Sequence, residues 1–348
     1  MLLDAQLDHG LIGAAEAARV AEQVGFAGVW AAEVVADPAL AIAAATTTTS
    51  RVTLGTNVIL AFTRNPMSVA MQAWELQRAS HGRFLLGLAT QVKPHITRRF
   101  SMPWEAPVAR LREFVDALRH IFETFQGEHP LDFPGRFYRH TLLHPMFNPG
   151  PIEHPRIPIG MGGVGRQLTA LAGELGDLYL LHAFTNVAFQ ERVTFPALAD
   201  GLAASGRRRE DIAVFGYLML IAGDTEEEQA RAAGRIRSQI AFYASSPMYR
   251  EVLDAIGCAD LQGELESCVK QGRWDELPGL VDDDVLDHFA LRGTLEELPA
   301  RIRARYGGSY DRAVPYLPLT ETDPDRLAQF CAAVMAPLTT PGAAPRRR

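Results

Sequence analysis

Short apolar runs rich in β-branched residues alternate with Ala- and Glu-rich stretches of helical length along nearly the whole chain, and this alternation constrains the fold most. Strands are predicted at Leu2–Leu7, Ala27–Glu33, Val52–Leu60, Arg83–Ala89, Ile157–Met161, Asp177–His182, Ile212–Ala222 and Arg312–Leu319. Between them, helices are predicted at Ile12–Val24, Pro38–Thr49, Pro66–Ser80, Trp104–Phe125, Gly165–Leu175 and Val187–Ser205, then in a long helical segment from Thr225 to about Arg305, and last at Asp323–Met335. Eight such units in one run predict an α/β fold, a closed (β/α)8 TIM barrel rather than an open sheet.

A minimal barrel takes about 250 residues, and this chain has 348, so about a hundred are insertions. They are expected at about 127–155, a Pro-, Gly- and His-rich excursion with a small hairpin at GRFYRH, and at about 225–292. The second insertion follows a strand, so it emerges on the face where barrel enzymes carry their sites and can serve as a lid. Residues 1–336 are expected to form one barrel domain, with 337–348 a disordered tail.

Composition narrows the function. With 34 basic against 41 acidic residues the net charge is −7, and no basic run is longer than the three residues of Arg346–Arg348, which argues against a nucleic-acid or membrane surface. The three cysteines, Cys258, Cys268 and Cys331, have no CxxC spacing, so neither a disulfide framework nor a metal site is suggested, and a reducing cytoplasm is the expected location. The N-terminus lacks a basic region followed by an apolar core, and no run of 18 apolar residues occurs.

Strand ends supply the candidate site. Thr56, Asn57, Arg64 and Asn65 follow one strand, and Thr90, Gln91, Lys93 and His95 follow the next. A third strand ends in GMGGVG before a helix, so bare amides at Gly162, Gly163 and Val164 and a helix N-terminus face one point, an arrangement that suits phosphate. The alternative is a tight turn with no ligand. His95 is the candidate proton carrier, because imidazole titrates near neutrality. His182 is a second candidate and His9 a weaker one, while Lys93, Arg98 and Arg99 are candidate anion partners. Arg110 and Glu113, one helical turn apart, are expected to form a structural ion pair.

GFAGVWAAE, RVTLGTNVILAFTRNP, GRFLLGLATQ, RLREFV, IPIGMGGVGRQLTALAGELGD and GTLEELPARI, in this order and spacing, resemble the luciferase-like flavin and deazaflavin oxidoreductases. The resemblance is strongest to the branch that uses coenzyme F420. It implies a bulge with a non-prolyl cis peptide around Thr56, Asn57 and Val58, against the central ring of the cofactor. It also implies an acidic residue facing that ring at Glu33, a pocket lining at Thr90 and Gln91, and a phosphate loop at Met161, Gly162, Gly163 and Val164. Where the sugar-phosphate dehydrogenase branch carries a histidine and a glutamate, this chain has Val34 and Val92, so glucose-6-phosphate oxidation is not expected.

The resulting expectation is an oxidoreductase that moves a hydride between F420 and a small organic substrate, with His95 and Glu33 as its catalytic side chains. By analogy with the family the chain is expected to be a homodimer. Three alternatives stand beside it: an FMN-dependent two-component monooxygenase of the same fold, a non-catalytic flavin- or deazaflavin-binding protein, and a metal-free, phosphate-binding barrel lyase or isomerase. The aromatic residues of the second insertion, Phe242, Tyr243, Tyr249 and Trp274, are expected to form the distal wall of the pocket.

Overall fold

Strands covered on both faces need apolar or small residues at consecutive positions, and the strand segments of this chain have them. The computed structural model describes residues 1–7, 10–317 and 322–337. Its strands are β1 (Leu2–Leu7), β2 (Gly28–Ala31), β3 (Thr53–Thr56), β4 (Ile59–Leu60), β5 (Phe84–Ala89), β6 (Phe133–Pro134), β7 (Arg139–His140), β8 (Ile159–Gly162), β9 (Leu178–Leu180), β10 (Ala213–Ala222), β11 (Ala290–Gly293) and β12 (Arg312–Pro315). Parallel pairing runs β1–β2–β3–β5–β8–β9–β10–β12 and returns to β1, closing a (β/α)8 barrel.

The barrel is wrapped by α1 (Leu11–Val24), α2 (Pro38–Thr46), α3 (Pro66–Ala79), α4 (Pro107–Gln126), α5 (Arg166–Leu175), α6 (Val187–Phe189), α7 (Phe195–Ala204), α8 (Glu226–Ala244), α9 (Arg250–Asp254), α10 (Ala259–Lys270), α11 (Asp283–Phe289), α12 (Leu298–Tyr306) and α13 (Pro324–Met335). Asp37, Asn65 and Asp323 each cap a helix whose next residue is proline, so α2, α3 and α13 start where a side-chain acceptor meets a pre-set φ. No helix among the described residues is long and apolar enough to cross a membrane.

The barrel floor is polar at its centre. Asp4 of β1, fully buried, accepts 2.7 Å bonds from Nε and a terminal nitrogen of Arg312 on β12, and a 2.9 Å bond from the Trp30 indole. Gly28 and Gly55 make this possible: a Cβ on Gly28 would lie 2.6 Å from the Arg312 guanidinium, and one on Gly55 2.3 Å from the Trp30 ring. Above it Trp30, Leu178, Leu180, Phe215 and Val314 fill the interior, with Val58 and Tyr217 packed on top.

Several expectations change. The segment from Thr225 to Arg305 is not wholly helical: Ala290–Gly293 pairs in parallel with Met219–Ala222. The ten-residue β10 outruns β12, which pairs only with Phe215–Leu218, and β11 covers the edge left bare above it. The predicted strand Val52–Leu60 breaks between β3 and β4 at a cis Asn57–Val58 peptide. The helix predicted at Val187–Ser205 passes through a π-turn at Gln190–Thr194.

Arg110 and Glu113 do not pair with each other. Arg110 bonds the Tyr138 hydroxyl and the Pro103 carbonyl, while Glu113 accepts the amides of Arg136, Phe137 and Tyr138 and so holds the β6–β7 hairpin onto α4. His9, the end of the strand predicted at Arg312–Leu319 and nearly all of the expected tail lie outside the described residues.

Burial pushes the Asp4 carboxyl upward, and Arg312 and Trp30 work against that shift. Arg312→Met leaves the carboxylate unpaired in the floor and is expected to cost about 3–5 kcal/mol near pH 7. Because the folded-state pKa then stands above its unfolded value, the loss should shrink as pH falls toward the carboxylate range. Denaturant melts of both proteins at several pH values check the size and the sign.

Candidate active site

The C-terminal ends of the strands form a mouth in which three supports are built from side chains. The first is at the bulge. Asn57 N–H donates to Ala31 O at 2.8 Å and Glu33 N–H to Val58 O at 3.2 Å, so β2 holds both sides of the cis peptide. The Glu33 carboxylate accepts the Leu60 amide at 2.8 Å and pairs with Arg64 at 2.7 Å, and Arg64 reaches Asp37 at 2.9 Å. Burial works against the Arg64 charge, but bonds and charge from Glu33 and Asp37 outweigh it and hold its pKa above the ordinary value. Glu33 is therefore occupied as a brace of the bulge.

The second support joins β3 to β5. Thr56 Oγ1 donates to Gly87 O at 3.1 Å and accepts from Gly87 N at 2.9 Å, and a Cβ on Gly87 would lie 1.9 Å from Thr56 O. Thr56 is wholly buried, and Thr90 and Met161 nearly so. Of the expected pocket residues these three are the least exposed. Asn57, Val58, Gln91, Gly162, Gly163 and Val164 keep partial exposure. They stand side by side: Ala89 pairs with Gly162, Leu60 pairs with Ala89, and a Cβ on Gly162 would touch the Val58 side chain at 3.3 Å. Gln91 adopts a left-handed φ of 61° that turns the chain away from the mouth, and its own side-chain oxygen accepts the Val92 amide at 2.9 Å.

The third support orients the glycine loop. The buried Tyr179 hydroxyl donates to Gly163 O at 2.9 Å and contacts Thr169 Oγ1 at 3.0 Å, which in turn donates to Gly165 O at 3.0 Å. In a trans peptide the N–H points opposite to the carbonyl. With the Gly163 and Gly165 carbonyls drawn inward, the amides of Val164 and Arg166 face outward at the N-terminus of α5. Burial raises the Tyr179 pKa to about 12, so the donor stays protonated.

Beyond β9 the wall is aromatic. Asn57 Nδ2 donates to Tyr217 Oη at 3.0 Å, and Tyr217 reaches Gln6 at 3.5 Å and packs against Tyr316 at 5.4 Å between ring centroids. Farther round, the Phe184 amide donates to His182 Nδ1 at 3.1 Å, which assigns the proton to Nε2; that nitrogen then donates to Tyr249 Oη at 3.0 Å. Tyr243 packs edge-on against the same imidazole at 4.8 Å. Burial lowers the His182 pKa to about 4, so the ring is neutral at pH 7, and burial with Tyr243 raises that of Tyr249.

The expected site residues thus divide. Val58 and Gly162 meet at neighbouring strand ends, with Asn57 tied to Tyr217, while His182, Tyr243 and Tyr249 form a separate aromatic cluster. His95 is exposed on a π-turn, His95–Arg99, whose Arg99 bonds Val34 O at 2.7 Å. Phe242 and Trp274 point to solvent, 59% and 52% exposed. Sequence reasoning missed Gln6, Tyr179 and Tyr217. Tyr217 was detectable, because in AVFGYLMLIA it follows Phe215 at the two-residue period of an inward face.

The fold and this mouth define a TIM-barrel oxidoreductase class. Residues 6–312 match the luciferase-like monooxygenase family model, and the chain belongs to that family. An uncharacterised protein of Mycobacterium tuberculosis is 43% identical over 313 residues, covering 90% of this chain and 92% of the relative. The F420-dependent glucose-6-phosphate dehydrogenase of Kineococcus radiotolerans is 27% identical, covering 84% and 80%. The coenzyme F420-dependent tetrahydromethanopterin reductase of Methanopyrus kandleri superposes with a TM-score of 0.76 at 20% identity over 95% of this chain and 97% of that one, a likeness of fold.

Tyr179→Phe should release the Gly163 carbonyl, at a cost of about 1–3 kcal/mol, and weaken binding of a phosphate-bearing flavin or deazaflavin about tenfold. Calorimetric titration of both proteins checks this. His182 binds its proton less readily folded than unfolded, so its contribution is complete above about pH 6.5 and is lost as pH falls toward 4. The slope is at most about 1.4 kcal/mol per pH unit, and His182→Gln should flatten it in denaturant melts across that window.

Proposed function

We propose that this protein transfers a hydride between coenzyme F420 and a small organic substrate. The observation that carries the reading is the side-by-side strand ends at Val58 and Gly162, followed by outward amides at the α5 N-terminus. An apolar surface for a flat ring system beside amides that would cradle a phosphate would suit either a deazaflavin or a flavin mononucleotide. The 27% identical F420-dependent relative favours the deazaflavin.

When bound, the cofactor supplies the two-electron chemistry. The chain does the rest. Val164 and Arg166 amides would hold the phosphate, Asn57 and Val58 would present backbone to the ring, and Tyr217 would keep the Asn57 side chain in place. Glu33, paired with Arg64, acts as a brace of the bulge in this reading rather than as a proton carrier. The proton role assigned from sequence to His95 passes to Tyr249: its oxygen accepts the His182 proton donor, so its own O–H is free in direction to meet a substrate oxygen.

Titration with oxidised F420 and, in parallel, FMN, followed by tryptophan quenching, tests the reading, because Trp30 packs in the same cluster as Val58. Micromolar or tighter binding of F420 with weak FMN binding is expected. Preference for FMN would move the protein to the two-component monooxygenases, and binding of neither would sink the redox assignment. Once a carbonyl substrate is found by screening with reduced F420, Tyr249→Phe should lower turnover by about a hundredfold while F420 affinity holds.

A further inference from the structure

At the opposite end of the barrel, α4 runs from the mouth to the N-terminal face and carries His120 and Glu123 one turn apart on the same side. The chain leaves the helix through Gly127, whose φ of 90° bends it back, so that the His129 ring stacks on His120 with centroids 4.2 Å apart. His129 Nε2 stands 3.0 Å from a Glu123 carboxylate oxygen, and one ligand atom from each of His120, Glu123 and His129 lies within 4.8 Å of the others.

The donor set is that of a borderline transition metal: two imidazoles and a carboxylate. His129 Nδ1 lies 3.0 Å from Pro130 O and 3.2 Å from Thr124 Oγ1. A carbonyl accepts only, so Nδ1–H is held from behind and Nε2 is the nitrogen turned toward Glu123, the arrangement by which metal-binding histidines are oriented. Nε2 and the Glu123 carboxylate stand 3.0 Å apart, close enough for both to reach one ion in place of the proton they share. The His120 Nε2 accepts only a 3.2 Å bond from the Asp132 amide, so an ion gains this imidazole at the loss of one long bond. His140 is the strand partner of Phe133, whose ring lies 5.7 Å from His120, and its buried Nε2 has no hydrogen-bond partner among the described residues.

We propose that His120, Glu123 and His129 bind one divalent transition-metal ion, with His140 available as a fourth ligand. The ion would tie the excursion between α4 and β8 to the N-terminal face of the barrel, the face whose residues serve stability rather than catalysis. It is independent of the hydride-transfer reading.

Protein stripped with a chelator is titrated with Zn2+ by calorimetry, and with Co2+ while visible absorption is followed. One equivalent should bind with micromolar or tighter affinity, raise the melting temperature by several degrees, and give the intense visible bands of low-coordinate Co2+. His129→Ala and Glu123→Gln, at a loop and at an exposed helical position, should each weaken binding at least about tenfold, while F420 or FMN affinity stays unchanged. No saturable binding, or the same affinity and the same melting shift in the double variant, would overturn the site.

Discussion

The Asp4–Arg312 pair is the contact on which the rest of the architecture depends. Asp4 lies on the first strand of the chain and Arg312 on the last, and those two strands meet at the seam that closes the barrel. A closed parallel sheet has no edges to exploit, so its ends must recognise each other through side chains as well as backbone. The pair does this in the interior, where a single unpartnered charge is costly, and the Trp30 indole and the glycines at 28 and 55 give it the space and the third bond it requires. Register at the seam is therefore set by one buried carboxylate.

Everything at the mouth is held the same way, by polar groups spent on the backbone. Glu33 holds the Leu60 amide, Thr56 bridges Gly87, Tyr179 draws in the Gly163 carbonyl, and Phe184 N–H selects the tautomer of His182. Each of these side chains could be taken for a reactive group in a list of strand-end residues. In the fold each is occupied, and what it leaves exposed is main chain: the Asn57–Val58 peptide and the Val164 and Arg166 amides. In the proposed function these oriented dipoles would meet the ligand, with the Tyr249 hydroxyl as a side-chain donor among them.

The order of elements was readable because period-2 and period-3.6 patterns alternate without interruption, and the candidate residues Asn57, Val58, Gln91, Gly162, Gly163 and Val164 were readable because strand ends and glycine clusters mark themselves. The errors have a common origin. Arg110 and Glu113 have the spacing of an ion pair, but Tyr138 and three hairpin amides are stronger claimants. β11 was missed because ALRG is too short to carry a pattern, and only the bare edge of β10 calls for it.

The sequence by itself determined the (β/α)8 order and the glycine loop that opens α5, since these follow from local patterns that any register must respect. Tertiary structure alone decided which carboxylate is a brace, which histidine is neutral and hydrogen-bonded, and which histidines gather beyond Gly127. Those outcomes depend on partners 31 and 67 residues away in the case of Glu33–Arg64 and His182–Tyr249, and on the chain reversal after α4 for His120 and His129. Charge state and occupancy are properties of an environment, and an environment exists only once distant segments have packed together.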